Sequence, residues 1–349
     1  MPAKQPHPTL KQLTPATYKT LVNKISREFS ELEFFIKRRT AETYWNIGRF
    51  IHEHLLEQKD RAGYGIRLFE LLAEDVDRDS STLQKMLKFY RIYPILAAAP
   101  ELTWEHYKSL MAVKDEKERK KLEEKIIRNN WNTKKLKRYL NIKRRLEYSG
   151  NDDNPVPQLK FTRGRIDVRS VVNVLEDVKT HGHASLRLDL GFRARIEFPQ
   201  AKVLNLKDGD CVETAQKDGD WNFQKIDVSK DELFTYKAGV VKVIDGDTLI
   251  VNIDAGCGVF LEQKLRLRGI DCPEVDTEEG KKAKRFVHAR LKGMEFIVIK
   301  THKDLTDKYA RYLADIFYSR EESGPQKVAQ EGRYLNQELL DERLAVVYE

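Results

Sequence analysis

The chain has 349 residues, 40% of them hydrophobic and 34% charged, with a formal net charge of +8 at pH 7. That length predicts two or three domains rather than one core. No run of about 18 apolar residues occurs, and the opening MPAKQPHPTL lacks the apolar stretch of a secretory leader, so no membrane partner and a cytoplasmic location are expected.

The charge is unevenly placed. Residues 1–150 carry 31 Lys+Arg against 20 Asp+Glu, a net +11, whereas residues 151–349 carry 32 against 35, a net −3. A basic N-terminal part attracts polyanions, and nucleic acid is the commonest of these in a cytoplasm. The same numbers fit a soluble basic helical bundle that holds no ligand.

In chain order, residues 1–15 are polar and proline-bearing, and predict a disordered tail. Residues 16–148 predict an all-α, basic helical domain. Apolar residues there recur at three and four, as in Tyr44, Ile47, Phe50, Ile51 and Leu55. Turn residues punctuate the pattern at Ala62–Gly65, at Asp77–Ser81, and at Pro94 and Pro100. Ser81 is expected to cap a helix starting near Thr82, with Gln84, Lys85 and Lys88 along one side. Together with a helix over about Ile66–Val76, this has the outline of a helix-turn-helix, as any two helices joined by a short turn would.

Between Lys125 and Arg145 there is no acid at all. Asn132 or Thr133 would cap a helix with the apolar stripe Leu136, Tyr139, Leu140 and Ile142. Its remaining faces carry Lys134, Lys135, Lys137, Arg138, Lys143, Arg144 and Arg145. Such a helix repels itself, and a phosphate backbone would relieve the repulsion, so these seven residues are expected to bind nucleic acid. A solvated face, or one meeting an acidic partner, is the alternative.

Residues 149–157, containing Ser-Gly-Asn-Asp-Asp-Asn-Pro, read as a linker. The period then changes to short alternating runs, Ser185–Leu190 and Phe192–Phe198, separated by turn residues, so residues 158–234 predict a small β-rich middle domain. His181 and His183 flank a glycine there, which is more in keeping with a surface loop than with metal ligands. Cys211, Cys257 and Cys272 stand at no zinc-ligand spacing and read as free thiols in a reducing compartment.

The last part, residues 235–349, carries the chemistry. A strand over Ala238–Ile244, the turn Asp245-Gly246-Asp247-Thr248 and a return strand Leu249–Ile253 make a hairpin signal that is ordinary by itself. The string Leu265-Arg-Leu-Arg-Gly-Ile-Asp-Cys-Pro-Glu274 follows, with Arg266 and Arg268 alternating against Leu265 and Leu267. A third string, Thr306-Asp-Lys-Tyr-Ala-Arg-Tyr-Leu-Ala-Asp-Ile316, brings Lys308, Tyr309 and Arg311 into a strand. Asp247, Arg266, Asp271, Glu274 and Arg311 thus supply carboxylates for a hard cation, a candidate base and two guanidiniums. Phosphodiester cleavage asks for those parts: oxygen ligands for the ion, a proton acceptor for water, and bidentate donors for the charge that grows on the phosphate oxygens.

In these three strings, taken in order, residues 236–349 resemble the staphylococcal nuclease (thermonuclease) family, with Asn336–Leu339 and Leu344–Val347 similar to its later helix and following strand. The resemblance implies an OB-type β-barrel with flanking helices. It further implies Ca2+, or another divalent cation, held by Asp247, Asp271 and the Cys272 carbonyl. Glu274 would be the general base or water-orienting group, Arg266 and Arg311 would bind the scissile phosphate, and Lys308 and Tyr309 would line the nucleotide site. Members of the family cut DNA and RNA to leave 3′-phosphate ends. Cys272 stands where the family usually has threonine, and the family's stacking tyrosine pair is at most partly represented by Tyr348.

A second resemblance covers residues 17–145. Trp45-Asn-Ile-Gly48, Tyr64-Gly65, Phe89-Tyr90, Tyr93-Pro94, Leu102-Thr103-Trp104, His106-Tyr107 and Asn130-Trp131 resemble the helical N-terminal domain of a bacterial family of uncharacterised proteins, in which it usually precedes a PD-(D/E)XK nuclease. His106 is expected to be a packed structural histidine.

The whole is therefore expected to be a multidomain α+β protein. It would be a metal-dependent endonuclease acting on DNA, with RNA as a second substrate, whose basic helical domain binds or targets nucleic acid and self-associates. The alternative is a non-catalytic nucleic-acid-binding or assembly protein on a degenerate nuclease fold.

Overall fold

A computed structural model describes residues 15–57, 64–96, 102–149, 155–175, 184–198, 203–306, 311–321 and 323–348. The chain divides into two units, residues 1–138 and 139–349. The expected N-terminal tail lies outside the described residues apart from Pro15, and His181 and His183 lie outside them altogether.

The first unit is helical: α1 (Pro15–Glu57), α2 (Tyr64–Asp75), α3 (Ser80–Ile92), α4 (Trp104–Leu110), α5 (Glu116–Arg128) and the start of α6 (Thr133–Ser149). Each start from α3 to α6 is fixed by a side chain that satisfies an amide the helix leaves open. Asp79 accepts from Thr82 N, Asp115 from Glu118 N and Asn132 from Lys135 N. The cap of α3 is Asp79 and not the expected Ser81, whose hydroxyl donates to the same carboxylate. A carboxylate accepts more strongly than a hydroxyl, and it sits at the positive end of the helix.

The core of this unit is aromatic. Phe89 is fully buried and meets Tyr93, Trp104 and Tyr107 at centroid distances of 5.6, 5.4 and 4.7 Å. Gly48 lets α1 and α3 touch, because a Cβ there would lie 2.1 Å from the Met86 carbonyl oxygen. Three residues earlier, Trp45 donates its indole N–H to Tyr93 O at 2.6 Å. His106 is buried between its own cap residue Thr103 and the Trp131 carbonyl, 3.0 Å from Nε2, and burial lowers its pKa; it is a packed residue of the fold. Phe50, placed by its spacing in the apolar stripe, is instead exposed with the Arg49 guanidinium 4.9 Å from its ring.

The described residues of the second unit hold two larger sheets and a two-stranded one. β1 (Val168–Leu175), β2 (Ala184–Gly191), β3 (Ala194–Glu197), β4 (Cys211–Lys217) and β5 (Asp220–Ile226) form an antiparallel sheet in the order β3-β2-β1-β4-β5. β6 (Thr235–Val243), β7 (Thr248–Gly256) and β8 (Val259–Leu267) follow as a meander, then β9 (Ile270–Asp271), α7 (Glu278–Leu291), β10 (Ile297–Thr306) and β11 (Tyr312–Tyr318). The order β10-β6-β7-β8-β11 closes on itself through a β10–β11 pairing, which makes a five-stranded barrel of the OB-like, staphylococcal nuclease type. Closure leaves the barrel strands without a free edge. α8 (Pro325–Glu331), β12 (Arg333–Tyr334), α9 (Leu335–Asp341) and β13 (Val346–Val347) complete the unit, and β13 pairs with β9.

Alternation fills the barrel. Leu249, Val251 and Ile253 of β7 point inward with Leu265, Leu267, Ile299 and Ile316, and α7 plugs one end with Ala283, Val287 and Leu291. The middle sheet does not keep a core to itself. Val171, Leu188, Leu190 and Val212 pack with Ala255, Cys257, Val259 and Leu261 from the β7–β8 hairpin. Buried Arg169 donates to Ala255 O at 2.9 Å, and Tyr236 Oη donates to Leu190 O at 2.9 Å.

The expected linker is also partly built in. Gln337 accepts from Leu159 N at 2.9 Å and donates to Pro157 O at 3.1 Å, and Arg163 donates to Ala329 O and Gly332 O. Residues 155–166 therefore run as a strap over α8 and α9. Their main chain is satisfied by side chains far away in sequence, which no local pattern announces.

Candidate metal and phosphate site

The turn between β6 and β7 is built for close approach. Ile244 N donates to Thr248 O at 2.9 Å, and Asp245 Oδ1 accepts from Asp247 N at 3.1 Å. A Cβ at Gly246 would lie 2.6 Å from Ala283 Cβ and 2.8 Å from Cys272 Sγ, so only glycine lets α7 and the β9 end reach this turn. β7 and β8 are in register with Thr248 opposite Arg266, and β8 pairs parallel to β11 with Arg266 beside Leu313. Three distant strings are thereby brought to one rim of the barrel.

Arg266 is the hub. Its guanidinium meets Asp247 twice, Nη2 to Oδ2 at 3.1 Å and Nη1 to Oδ1 at 3.4 Å, and it also donates to Asp271 Oδ1 and to Ile270 O. All three charged residues are buried, at 7%, 2% and 7% exposure for Arg266, Asp247 and Asp271. Asp247 Oδ2 further accepts from Cys272 N at 3.0 Å, and Oδ1 from the Thr248 hydroxyl at 3.0 Å. Arg311, half-buried where β11 begins, donates Nη1 to Thr248 Oγ1 at 3.1 Å. A continuous chain of donors and acceptors thus links Arg311, Thr248, Asp247, Arg266 and Asp271.

Electrostatically the pocket is short of positive charge. Burial pushes the Asp247 carboxyl up to about 7, Arg266 works against this, and neighbouring Asp245 adds to it. Two acids sharing one guanidinium out of water have more to gain from a cation than two exposed acids. Carboxylate oxygens are also what Ca2+ takes. The residues therefore fit a hard divalent ion at Asp247 and Asp271. Among the described residues no group of three or more His, Cys, Asp and Glu is arranged to hold a metal.

The other expected site residues fall as follows. Glu274 is half-buried three residues beyond Asp271, and its main-chain carbonyl accepts from the Thr277 hydroxyl at the start of α7. Cys272 presents its amide to Asp247, while its buried thiol is pushed well up by loss of solvent; all three cysteines are free thiols. Lys308 and Tyr309 lie outside the described residues. On α6, Lys134, Lys137 and Arg144 are exposed, and Lys135, Arg138, Lys143 and Arg145 are half-buried. Part of this charge already has partners: Lys137 lies 3.3 Å from Glu105, and Lys143 lies 3.7 Å from Glu147. Lys135 Nζ stands 5.0 Å from the Trp131 ring centroid.

Two further residues, Thr248 and Asp245, belong to the site beside Tyr348, which the resemblance offers as a partial counterpart of the stacking tyrosines. Thr248 joins the two arginines through Asp247, and Asp245 holds the turn. Tyr348 lays its ring 5.4 Å from the Arg266 guanidinium carbon, with its amide donating to Gly269 O. The signal for the first two was present in the Asp245–Thr248 string, but a turn is so common that its polar residues carry little information until a partner strand is known.

Residues 264–349 match a family described as staphylococcal nuclease homologue, and residues 20–145 match the DUF1016 N-terminal domain. The nuclease match begins inside β8, so Asp247 and Thr248 precede it and are brought to it by strand pairing. Over 120 residues the chain is 32% identical to an uncharacterized protein of Methanocaldococcus jannaschii, covering 28% of this chain and 56% of that protein. Over 104 residues it is 35% identical to the thermonuclease of Staphylococcus hyicus, again covering 28% and 56%. The chain spans about half the length of the curated relatives it matches. It joins a DUF1016 N-terminal domain to a C-terminal domain of the staphylococcal nuclease type.

Proposed function

We propose that the chain is a Ca2+-dependent endonuclease that cuts DNA, and RNA as a second substrate, in the cytoplasm, with defence against foreign DNA as its setting. The observation that carries this reading is the linked arrangement of two guanidiniums and two aspartates at one barrel rim. When bound, the divalent ion would supply Lewis-acid polarisation of a phosphate oxygen or water. Asp247, Asp271 and the Cys272 carbonyl would hold it.

The rest falls to the chain's own side chains. Glu274 takes a proton from the attacking water as the new P–O bond forms. The bond to the 5′ oxygen breaks, leaving a 3′-phosphate and a 5′ oxygen that is protonated on release. Arg266 and Arg311 donate to the non-bridging oxygens, where charge grows in the transition state. Arg266 donates to two carboxylates in the free protein, so it exchanges part of those bonds for the phosphate oxygens when substrate arrives. Lys308 and Tyr309 would contact the nucleotide, and Lys134, Lys135, Lys137, Arg138, Lys143, Arg144 and Arg145 would bind phosphate backbone.

The test is incubation of the purified chain with supercoiled plasmid, single-stranded DNA and RNA, with Ca2+ or with chelator. Cleavage that chelator abolishes is expected. Salt-sensitive binding without cleavage, under any divalent ion, would make the domain a nucleic-acid-binding module instead.

A further inference from the structure

The first half of α1 stands apart from the rest of its unit. Every described side chain from Lys19 to Arg39 is exposed, and burial begins only at Thr40 and Ala41, where α1 starts to pack on its neighbours. The described side chains of this stretch contribute little to tertiary packing, which is what ordinarily holds helices together in water. Its large apolar residues are not scattered. Val22, Ile25, Phe29, Leu32 and Ile36 are 40–64% exposed and follow one another at spacings of three, four, three and four, with exposed Phe35 beside them. Apolar residues repeating at that alternation are the a and d positions of a coiled-coil seam, here bordered by Phe35.

We infer that this seam pairs with the same segment of a second copy of the chain, in antiparallel orientation, making the protein a dimer. In heptad terms Val22, Phe29 and Ile36 take position a, and Ile25 and Leu32 take position d. An antiparallel pair centred on Arg27 sets a against d, so that Val22 of one copy meets Leu32 of the other and Ile25 meets Phe29. The flanking charges choose the orientation. The antiparallel register puts Lys19 opposite Glu33 twice and brings like charges together only once, at the central Glu28 pair. A parallel in-register pair would set Glu28 against Glu33 twice and gain no such attraction. Glu33 pairs with Lys37 of its own helix at 3.0 Å, an exposed contact that either copy can give up cheaply.

The apolar area available on the two helices is on the order of 1,000 Å2, near the lower bound of specific interfaces, so the dimer is expected to be reversible. The inference stands independently of the nuclease reading and concerns a different part of the chain.

The test is light scattering on the full chain across a concentration series, alongside the double variant Phe29→Glu, Leu32→Glu. The wild type should approach twice the monomer mass at about 100 μM, and the variant should stay monomeric, its association weakened at least about a hundredfold. Both side chains are exposed, so the variant's helical content should persist away from the seam, which circular dichroism would check. A wild type that is monomeric throughout overturns the inference, as does a double variant that dimerises equally well. Orientation has its own readout. Ser26 meets its own counterpart in the antiparallel register, so Ser26→Cys should cross-link on oxidation while the wild type, with its native thiols, does not. Cross-linking of Phe29→Cys without that of Ser26→Cys would overturn the antiparallel arrangement.

Discussion

Arg311 Nη1 donates to the Thr248 hydroxyl across 3.1 Å, and that hydroxyl donates onward to Asp247 Oδ1 at 3.0 Å. One fully buried threonine therefore couples a guanidinium just before β11 to an aspartate on the β6–β7 turn. Thr248→Val keeps the shape and removes both bonds. A hydrogen bond to a charged group contributes about 1.5–3 kcal/mol, so cleavage by the valine variant should fall roughly ten- to a hundredfold. Thr248→Ser should retain most of the rate. Equal loss in both variants, measured by single-turnover kinetics, would point to packing rather than to the hydroxyl.

Arg266 answers two buried acids at once. Arg266→Ala would leave both without their cation, which typically costs on the order of 3 kcal/mol or more. A lower melting temperature is expected, together with a rate drop of at least about a hundredfold. Added Ca2+ should raise the melting temperature of this variant more than that of the wild type, because the ion then replaces a missing charge. A melting temperature indifferent to Ca2+ in both proteins would separate the aspartates from metal binding.

Lys300 offers a pH test outside the site. Its ammonium is buried on β10, donating to Leu233 O at 2.6 Å and to Thr301 O at 3.2 Å, and burial lowers its pKa from an ordinary 10.5 to about 8. Between those values the unfolded chain binds more protons than the folded one. Stability contributed by this group therefore rises with pH across that window, in total by on the order of 2–3 kcal/mol, and is absent below it. Denaturant titrations at pH 7.5, 8.5 and 9.5 should show the increase in the wild type and lose it in Lys300→Met.

Asp315 is fully buried, takes three bonds from Arg268, and accepts from Tyr334 Oη at 2.7 Å. Arg268 in turn donates to Lys160 O in the strap. Asp315→Ala leaves a guanidinium and a phenol unanswered, and an expected loss of about 3–5 kcal/mol follows. The strap should loosen before the barrel opens, so limited trypsin digestion should cut faster at Arg163 and Arg165. Digestion no faster than in the wild type would show that the strap is held by its other bonds alone.

The sequence made the barrel strands legible because half-buried strands must alternate. It made the candidate acids and arginines legible because they sit in strings dense with charge. Where strand meets turn, those strings could be joined only through a family resemblance, since pairing between residues 20 to 60 positions apart leaves no periodic mark. The strap stayed hidden for the same reason: Gln337 and Arg163 look like ordinary polar residues until their partners are known. The middle sheet read as separate because its alternation does not say which surface covers it, and that surface is the β7–β8 hairpin. Asp79 and Ser81 are both good caps by residue type, and only the geometry assigns the cap to Asp79.

The central claim is that two aspartates and two arginines act on one diester. Its most direct measurement is the Ca2+-dependent single-turnover rate on a DNA oligonucleotide for the wild type, Arg311→Ala and Asp271→Ala. The account predicts cleavage by the wild type, a fall of about a hundredfold or more in Arg311→Ala, and loss of Ca2+ dependence together with activity in Asp271→Ala. Cleavage by Arg311→Ala at the wild-type rate, or by Asp271→Ala with the same Ca2+ response, would contradict it.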